Sequence, residues 1–121
     1  SVATDMTVEY QDLAKHAFNE VSQHTGSSGV NNELVAPGDN VSSIKFITIA
    51  NTHASNEATI SLHLDSATAG TSFNILKSIK IPVGVTLALT SDEIPTFNNS
   101  TNGFGLYITV EATDTVDVII N

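Results

Sequence analysis

Four histidines are the side chains of this chain best suited to chemistry, because imidazole can serve as a metal ligand, a general base or a proton carrier. His16 and His24 lie eight residues apart on a predicted helix. His53 lies in a predicted turn, and His63 lies on the polar face of a predicted strand. No pair has the i, i+4 spacing of a zinc-binding HExxH helix or the i, i+2 spacing that puts two ligands on one face of a strand. The spacing predicts surface histidines and no metal site.

The carboxylates are spread over predicted loops and form no catalytic or metal-binding motif. Asp92 and Glu93 are adjacent, and Asp114 and Asp117 lie in or beside a predicted turn, where carboxylates keep the chain hydrated. The calcium-loop pattern DxDxDG is missing. Asp39, Asp114 or Asp117 could still join a calcium site built from loops, an alternative that the sequence leaves open. We predict no required metal and no cofactor.

Motifs for nucleophilic catalysis are also missing, so we predict that the protein is not an enzyme. A serine hydrolase needs the GxSxG elbow, whereas GSSG at 26–29 is one residue short and is typical of a flexible linker. Glycine motifs that cradle phosphates do not occur. The chain has no cysteine, which excludes disulfides, thiolate metal sites and cysteine nucleophiles.

Length and charge limit the domain count and the partners. With 121 residues the chain has the size of one domain with a single core. Lys and Arg total 4 against 13 Asp and Glu, and the resulting net charge of −9 repels nucleic-acid phosphates and anionic lipid head groups. No apolar run approaches the roughly 20 residues needed to span a bilayer, and the N-terminus lacks the regions of a signal peptide. We predict no nucleic-acid partner and no membrane partner.

From residue 41 onward the chain reads as short strands separated by turns. The clearest is 58–65, where Ala, Ile, Leu and Leu alternate with Thr, Ser, His and Asp, the period of a strand with one polar face. Further strands are predicted at 41–51, 73–81, 85–90, 104–110 and 116–120. In the first of these, apolar residues of both parities predict that both faces are covered. Pro82 and Gly84 predict a tight corner before the strand at 85–90.

Six strands with no helical period between them predict a mainly β protein, an antiparallel β-sandwich of jelly-roll-like type. A parallel sheet would need crossover helices, for which these gaps have no room. The predicted core includes the following inward-facing residues: Ile60, Leu62, Leu64, Leu87, Leu89, Leu106, Ile108 and Val118.

The N-terminal segment has a different pattern, and we divide the chain into an arm at 1–33 and a sandwich at 34–121. Apolar residues recur at spacings of three and four between Tyr10 and Val21, which predicts one helix within 7–24. The alternative, a strand at MTVEY, stays open. Val35 predicts a short extra strand at the start of the sandwich.

A carbohydrate-binding module is a non-enzymatic alternative, because such modules are often β-sandwiches. They usually stack sugars on exposed Trp or Tyr, and this chain has no Trp and two Tyr. Tyr10 lies on the helical stripe, and Tyr107 lies on the strand parity opposite Leu106 and Ile108. The sequence favours cross-strand packing for Tyr107 over a role as a sugar platform.

From residue 34 to the end, the order of motifs resembles small β-sandwich structural proteins of tailed bacteriophages. The matching segments are LVAPGDNVSSI, FITIANT, ATISLHL, IPVGVTLAL, GLYITV and VDVII. The resemblance is one of motif order, it includes no catalytic signature, and residues 1–33 do not match it.

The resemblance implies a virion structural protein, of capsid decoration (cement) or head-fibre type. In the first role it would bind the major capsid protein on the outer capsid surface of a tailed-phage head and stabilise the head. It would also form a homo-oligomer, with a trimer preferred over a dimer. The alternative function is a carbohydrate- or host-surface-binding module of a phage fibre or tail.

The apolar stripe of the arm is the predicted attachment element. Its four large residues, Tyr10, Leu13, Phe18 and Val21, are too apolar to remain in water, and the flexible TGSSG segment separates them from the sandwich. We expect them to contact a neighbouring subunit or the capsid. The alternative is that the helix packs over an open face of its own domain.

Overall fold

The computed structural model of the protein describes residues 20–27, 30–41 and 43–121. Its elements, in chain order, are β1 (Glu20–Thr25), β2 (Asn32–Val35), β3 (Phe46–Asn51), β4 (Ala58–Ser66), β5 (Ser72–Ile81), β6 (Thr86–Thr90), β7 (Phe104–Val110) and β8 (Thr115–Ile120). No helix in the described ranges is long and apolar enough to cross a membrane.

The strands form two four-stranded antiparallel sheets that pack as a sandwich. Sheet A has the order β1-β8-β3-β6, and sheet B has the order β2-β7-β4-β5. The antiparallel partners include β1 with β8, β2 with β7, β3 with β6 and β4 with β5. This nesting is that of one long hairpin rolled over the core, which is the jelly-roll topology. The predicted mainly β, jelly-roll-like sandwich is confirmed.

The core lies between the two sheets and is made of alternate residues of the strands. Ile47, Ile49, Leu62, Leu106, Ile108, Val116 and Val118 are completely buried there. Of the eight residues predicted for the core, seven are buried and Leu87 is partly buried against the cluster. The prediction worked because a strand with one polar face shows its inward side by period alone.

The prediction of a helix within 7–24 is wrong at its C-terminal end, because residues 20–25 form the strand β1. The strand pairs with β8 in continuous register from Glu20–Ile120 to Thr25–Thr115. Val21 matches both a helical stripe and a strand, and pairing with β8 overrides the weak local helix preference. The remainder of the predicted helix and the alternative strand at MTVEY lie outside the described residues.

The first sandwich strands begin earlier than the predicted boundary between residues 33 and 34. That boundary falls inside β2, which pairs with β7 and carries buried Leu34 and Val35. The extra strand predicted at Val35 is therefore present.

The backbone of Gly26, between β1 and β2, lies so close to the end of β7 that an added Cβ would be 1.7 Å from the Glu111 carbonyl oxygen.

β5, which corresponds to the strand predicted at 73–81, is interrupted by two irregularities. Lys77 and Ser78 together oppose Ser61 of β4, and Ser78 has a φ of 50°. A second extra residue, Ile75, lies between the pairs formed by Leu76 and Asn74. These β-bulges bend the edge strand of sheet B. The corner after β5 is as predicted, with a φ of 74° at Gly84.

Candidate interaction surfaces

The outer face of sheet A carries a group of exposed apolar side chains. Val21 pairs with Ile119 across β1 and β8, and Ile119 is in turn opposite Thr48 of β3. Val21, Ile119 and Phe46 are 72%, 42% and 37% exposed. Ala88 of β6, opposite Thr48, is also exposed. We call Val21, Phe46, Ala88 and Ile119 the sheet A patch.

This patch corrects one prediction made from the sequence. Apolar residues on both faces of the strand around Phe46 predicted that both faces are covered. In the part of the chain that the structure describes, the side chain of Phe46 is instead exposed to solvent. Ile47 and Ile49 supply the inward face of β3 without it. A cluster of apolar side chains that point outward and take no part in the core is typical of a surface that binds another protein.

One of the four predicted contact residues lies on this patch. Val21 is its most exposed member, at the sheet edge formed by β1. Tyr10, Leu13 and Phe18 lie outside the described residues, so their contacts stay a prediction. The segment that contains them leads directly into Glu20, the first residue of β1.

The outer face of sheet B is polar and centres on a linked group of side chains. The Nδ1 of His63 lies 2.6 Å from Asp65 Oδ1. Ser72 donates to the same oxygen at 2.7 Å, and Asn31 donates to Asp65 Oδ2 at 2.7 Å. The ring of Tyr107 stacks on His63 with 6.2 Å between centroids and 19° between planes.

A further hydrogen bond extends this group to the edge strand β2. The Tyr107 hydroxyl donates to Glu33 Oε2 at 3.0 Å. We call His63, Asp65, Tyr107 and Glu33 the sheet B cluster. The packing role that the sequence favoured for Tyr107 is present, whereas the prediction of a surface His63 is wrong. His63 is only 7% exposed, because Tyr107 on the neighbouring strand covers its ring.

The hydrogen bonds of the cluster shift the pKa of two of its members. Burial raises the pKa of Asp65, but hydrogen bonds from Ser72, His63 and Asn31 outweigh burial and hold the pKa below its usual value. Burial, together with the hydrogen bond and the negative charge of Glu33, raises the pKa of Tyr107. Asp65 is therefore an ionised acceptor at neutral pH, and Tyr107 is a neutral donor.

The other candidate residues serve local structure. The Nδ1 of His53 accepts from the backbone N–H groups of Ser55 and Asn56, each at 3.0 Å, and so closes the β3–β4 turn. Asp114 accepts from the Thr59 N–H at 3.0 Å. Asp39 likewise accepts from a backbone N–H, whereas Asp117 accepts from a side-chain amide. Within the described ranges, no group of three His, Asp or Glu residues is placed to hold a metal ion.

The patch residues Phe46, Ala88 and Ile119 were missed by reasoning from the sequence. A signal was present, because VDVII places Ile119 on the parity opposite to Val118 and Ile120. Sequence alone cannot show that this residue and Val21, which are 98 positions apart, are opposite each other (119 − 21). That adjacency depends on the closing of the first strand onto the last.

Comparisons with known proteins place no family name on this chain. No protein-family model matches it, and no curated protein matches it. One similar chain comes from the structure of infectious bursal disease virus, Gt strain, with 12% identity and a TM-score of 0.37. The match covers 88% of this chain and 30% of that chain. This is a distant viral likeness, and at such values it carries no functional argument.

Proposed function

We propose that the protein is a virion structural protein that decorates the outer surface of a tailed-phage head and stabilises it. The sheet A patch is the observation that carries the proposal, since it offers a ready contact surface for the major capsid protein. Val21, Phe46 and Ile119 are 72%, 37% and 42% exposed, so burying the exposed part of each contributes a fraction of the about 1.5–3 kcal/mol that full burial of a large apolar side chain gives. These side chains are suited to the apolar centre of a larger docking surface.

Five of the six motifs of the phage resemblance coincide with strands of the sandwich or with a strand and its turn, and this supports the proposal. FITIANT spans β3 and its turn, ATISLHL lies in β4, and IPVGVTLAL contains the corner and β6. GLYITV and VDVII lie in β7 and β8. The jelly roll also serves in viral capsid domains and in lectins, which is an analogy of fold and does not by itself establish function.

A homo-oligomer, with a trimer preferred over a dimer, forms part of the proposal. Each sheet has two edge strands, β1 and β6 in sheet A and β2 and β5 in sheet B. Such edges present unpaired backbone groups that benefit from being covered. A trimer matches the three-fold positions of a capsid lattice. In this arrangement the sheet A patch and the stripe of Tyr10, Leu13 and Phe18 face the capsid or a neighbouring subunit.

The test is binding to empty heads of the phage that encodes the protein. Val21→Asp combined with Ile119→Asp should abolish co-sedimentation with the heads, because two carboxylates would be buried at the contact. The matched control is Val83→Asp with Val85→Asp, which alters two valines that are 44% and 43% exposed in the corner after β5. The control should bind like the unmodified protein.

Two outcomes would contradict the proposal. One is equal binding by the patch variant and the control, and the other is the absence of binding by the unmodified protein. Thermal melting of both variants provides the folding check. If Val21→Asp with Ile119→Asp unfolds the domain, the patch belongs to the core of the protein and the attachment surface lies elsewhere.

A further inference from the structure

A groove on the outer face of sheet B lies on the side of the sandwich opposite the sheet A patch. Its volume is about 510 Å³, within the range of roughly 300–1,000 Å³ for small-molecule sites. Thr59 and Ser61 of β4 and Thr109 of β7 form its floor. Ser78 of β5 and Ser27 form its sides, so five hydroxyl groups line it.

The bulge in β5 shapes this groove. Ser78 is held at a φ of 50°, a conformation that is uncommon for a residue with a side chain. Its N–H group donates to the hydroxyl oxygen of Ser61 at 2.9 Å, instead of to the backbone of β4. The Ser61 hydroxyl hydrogen remains available to a ligand. Bulges of this kind are frequent beside binding sites, where they redirect a side chain.

The sheet B cluster continues the same outer face. His63 follows Ser61 and Tyr107 precedes Thr109 at the two-residue spacing that places strand residues on one side. The side chain of His63 is 9% exposed, and its Nδ1 is bonded to Asp65. Because ionised Asp65 only accepts, Nδ1 donates to it, and Nε2 makes no hydrogen bond to the described residues.

The chemistry of the groove favours a sugar over a peptide or an anion. β4 and β7 are the two central strands of sheet B, with backbone partners on both sides, so a peptide cannot add to them as a strand. Serine and threonine hydroxyls both donate and accept, as sugar hydroxyls do. Glu111 at the groove and Glu33 in the cluster repel anions, as does the net charge of −9.

We propose that the outer face of sheet B binds a neutral oligosaccharide, through the hydroxyls of Thr59, Ser61 and Thr109. The sandwich then has two surfaces with different partners, an apolar one on sheet A and a saccharide-binding one on sheet B. This inference is independent of capsid attachment, because saccharide binding is a property of the isolated chain.

The test is a titration of the full-length protein, followed by ¹H–¹⁵N NMR, with two neutral probes, maltohexaose and chitohexaose. Hexagalacturonic acid serves as the acidic comparison. At least one neutral hexasaccharide should shift the amide signals of Ser61, Ser78 and Thr109 in a saturable manner. The acidic hexasaccharide should shift them little at the same concentration.

A pair of double variants tests the assignment of the surface. Thr59→Val with Thr109→Val keeps the side-chain shape, removes two hydroxyls and should weaken binding by about tenfold or more. Thr48→Val with Thr86→Val makes the same change on the outer face of sheet A and should leave the affinity unchanged. Both pairs should melt within a few degrees of the unmodified protein.

The inference is overturned by any of four results. These are no saturable shift with either neutral probe, shifts that map to sheet A, equal binding of the acidic hexasaccharide, or equal affinity of the two double variants. Failure here would leave the capsid proposal intact, because that proposal depends on the opposite face.

Discussion

Asn99 holds three backbone segments together through one buried amide. Its Oδ1 accepts from the Val41 N–H at 2.9 Å, and its Nδ2 donates to the carbonyl oxygens of Ala36 and Phe104 at 3.0 Å and 2.8 Å. The residue is 4% exposed. It therefore fixes the long loop before β7 against the segment that follows β2.

We expect Asn99→Ala to lower the free energy of unfolding by about 3 kcal/mol, because one buried and two partly buried backbone groups lose their partner. The control is Asn98→Ala, whose side chain makes one exposed hydrogen bond to the Ser100 N–H and should cost about 1 kcal/mol at most. Urea unfolding of both variants measures the difference. Similar losses for the two variants would contradict this role of Asn99.

Asp65 makes the stability of the protein depend on pH. Its pKa is lowered in the folded state, so its contribution is complete above the unfolded pKa of about 3.9 and is lost as the pH falls through the folded value. Asp65→Asn should lower the melting temperature at pH 7, and the difference from the unmodified protein should shrink below about pH 4.

A matched substitution checks this assignment. The side chain of Asp92 is exposed and accepts no hydrogen bond within the described part of the chain, so Asp92→Asn should change the melting temperature little at either pH. Thermal melts at pH 7 and pH 3 for the two variants provide the measurement. A constant difference for Asp65→Asn at both pH values would show that its carboxylate charge is not involved.

Among the strands, β1 decides where the folded unit begins. It supplies the partner for one whole edge of β8 and is itself an edge strand of sheet A. Removing it would expose the backbone of β8 beside the apolar Ile119. Unpaired apolar edges of this kind promote association between sheets.

Two truncations test the role of β1. Removal of residues 1–19 should leave a cooperative melt, because the described core is complete without them. Removal of residues 1–25 should lower the melting temperature by several degrees or more and promote aggregation. Calorimetry and light scattering distinguish the two. Identical behaviour of the two truncated proteins would assign β1 to the arm, as the sequence predicted.

β5 is an edge strand of sheet B that is protected against pairing with another sheet. It is the longest strand, yet two β-bulges and the exposed Lys77 and Lys80 make it a poor template for another sheet. Phe73 and Ile79 are exposed there because an edge strand has a neighbour on one side only. Contact between copies is therefore expected at an edge other than β5.

For the whole molecule, we expect a trimer at micromolar concentration and neutral pH, measured by light scattering. The net charge of −9 opposes association, so the trimer should become more stable as salt rises to about 0.15 M and screens the charges. Val21→Asp with Ile119→Asp should dissociate it if the patch joins the copies. A monomer at every salt concentration would restrict self-assembly to the capsid surface.

The amino-acid sequence was sufficient for the described strands other than β1, for the core positions named and for the fold class. Residues such as Leu62 and Ile108 alternate with polar neighbours, and this period depends only on local backbone geometry. Pro82 and Gly84 likewise specify their corner through their own φ preferences. FITIANT, ATISLHL, GLYITV and VDVII, four motifs of the phage resemblance, likewise each follow one strand.

Long-range pairing decided the rest. Residues 20–24 lie at the end of the predicted helix, and pairing with the free edge of β8 makes them a strand. The burial of His63 depends on Tyr107, which is 44 positions away (107 − 63) and becomes its neighbour when β4 pairs with β7. Similarly, Val21 and Ile119 form one patch because the first and last strands meet. These contacts arise when the hairpin rolls up, so the position of each surface is a property of the tertiary structure.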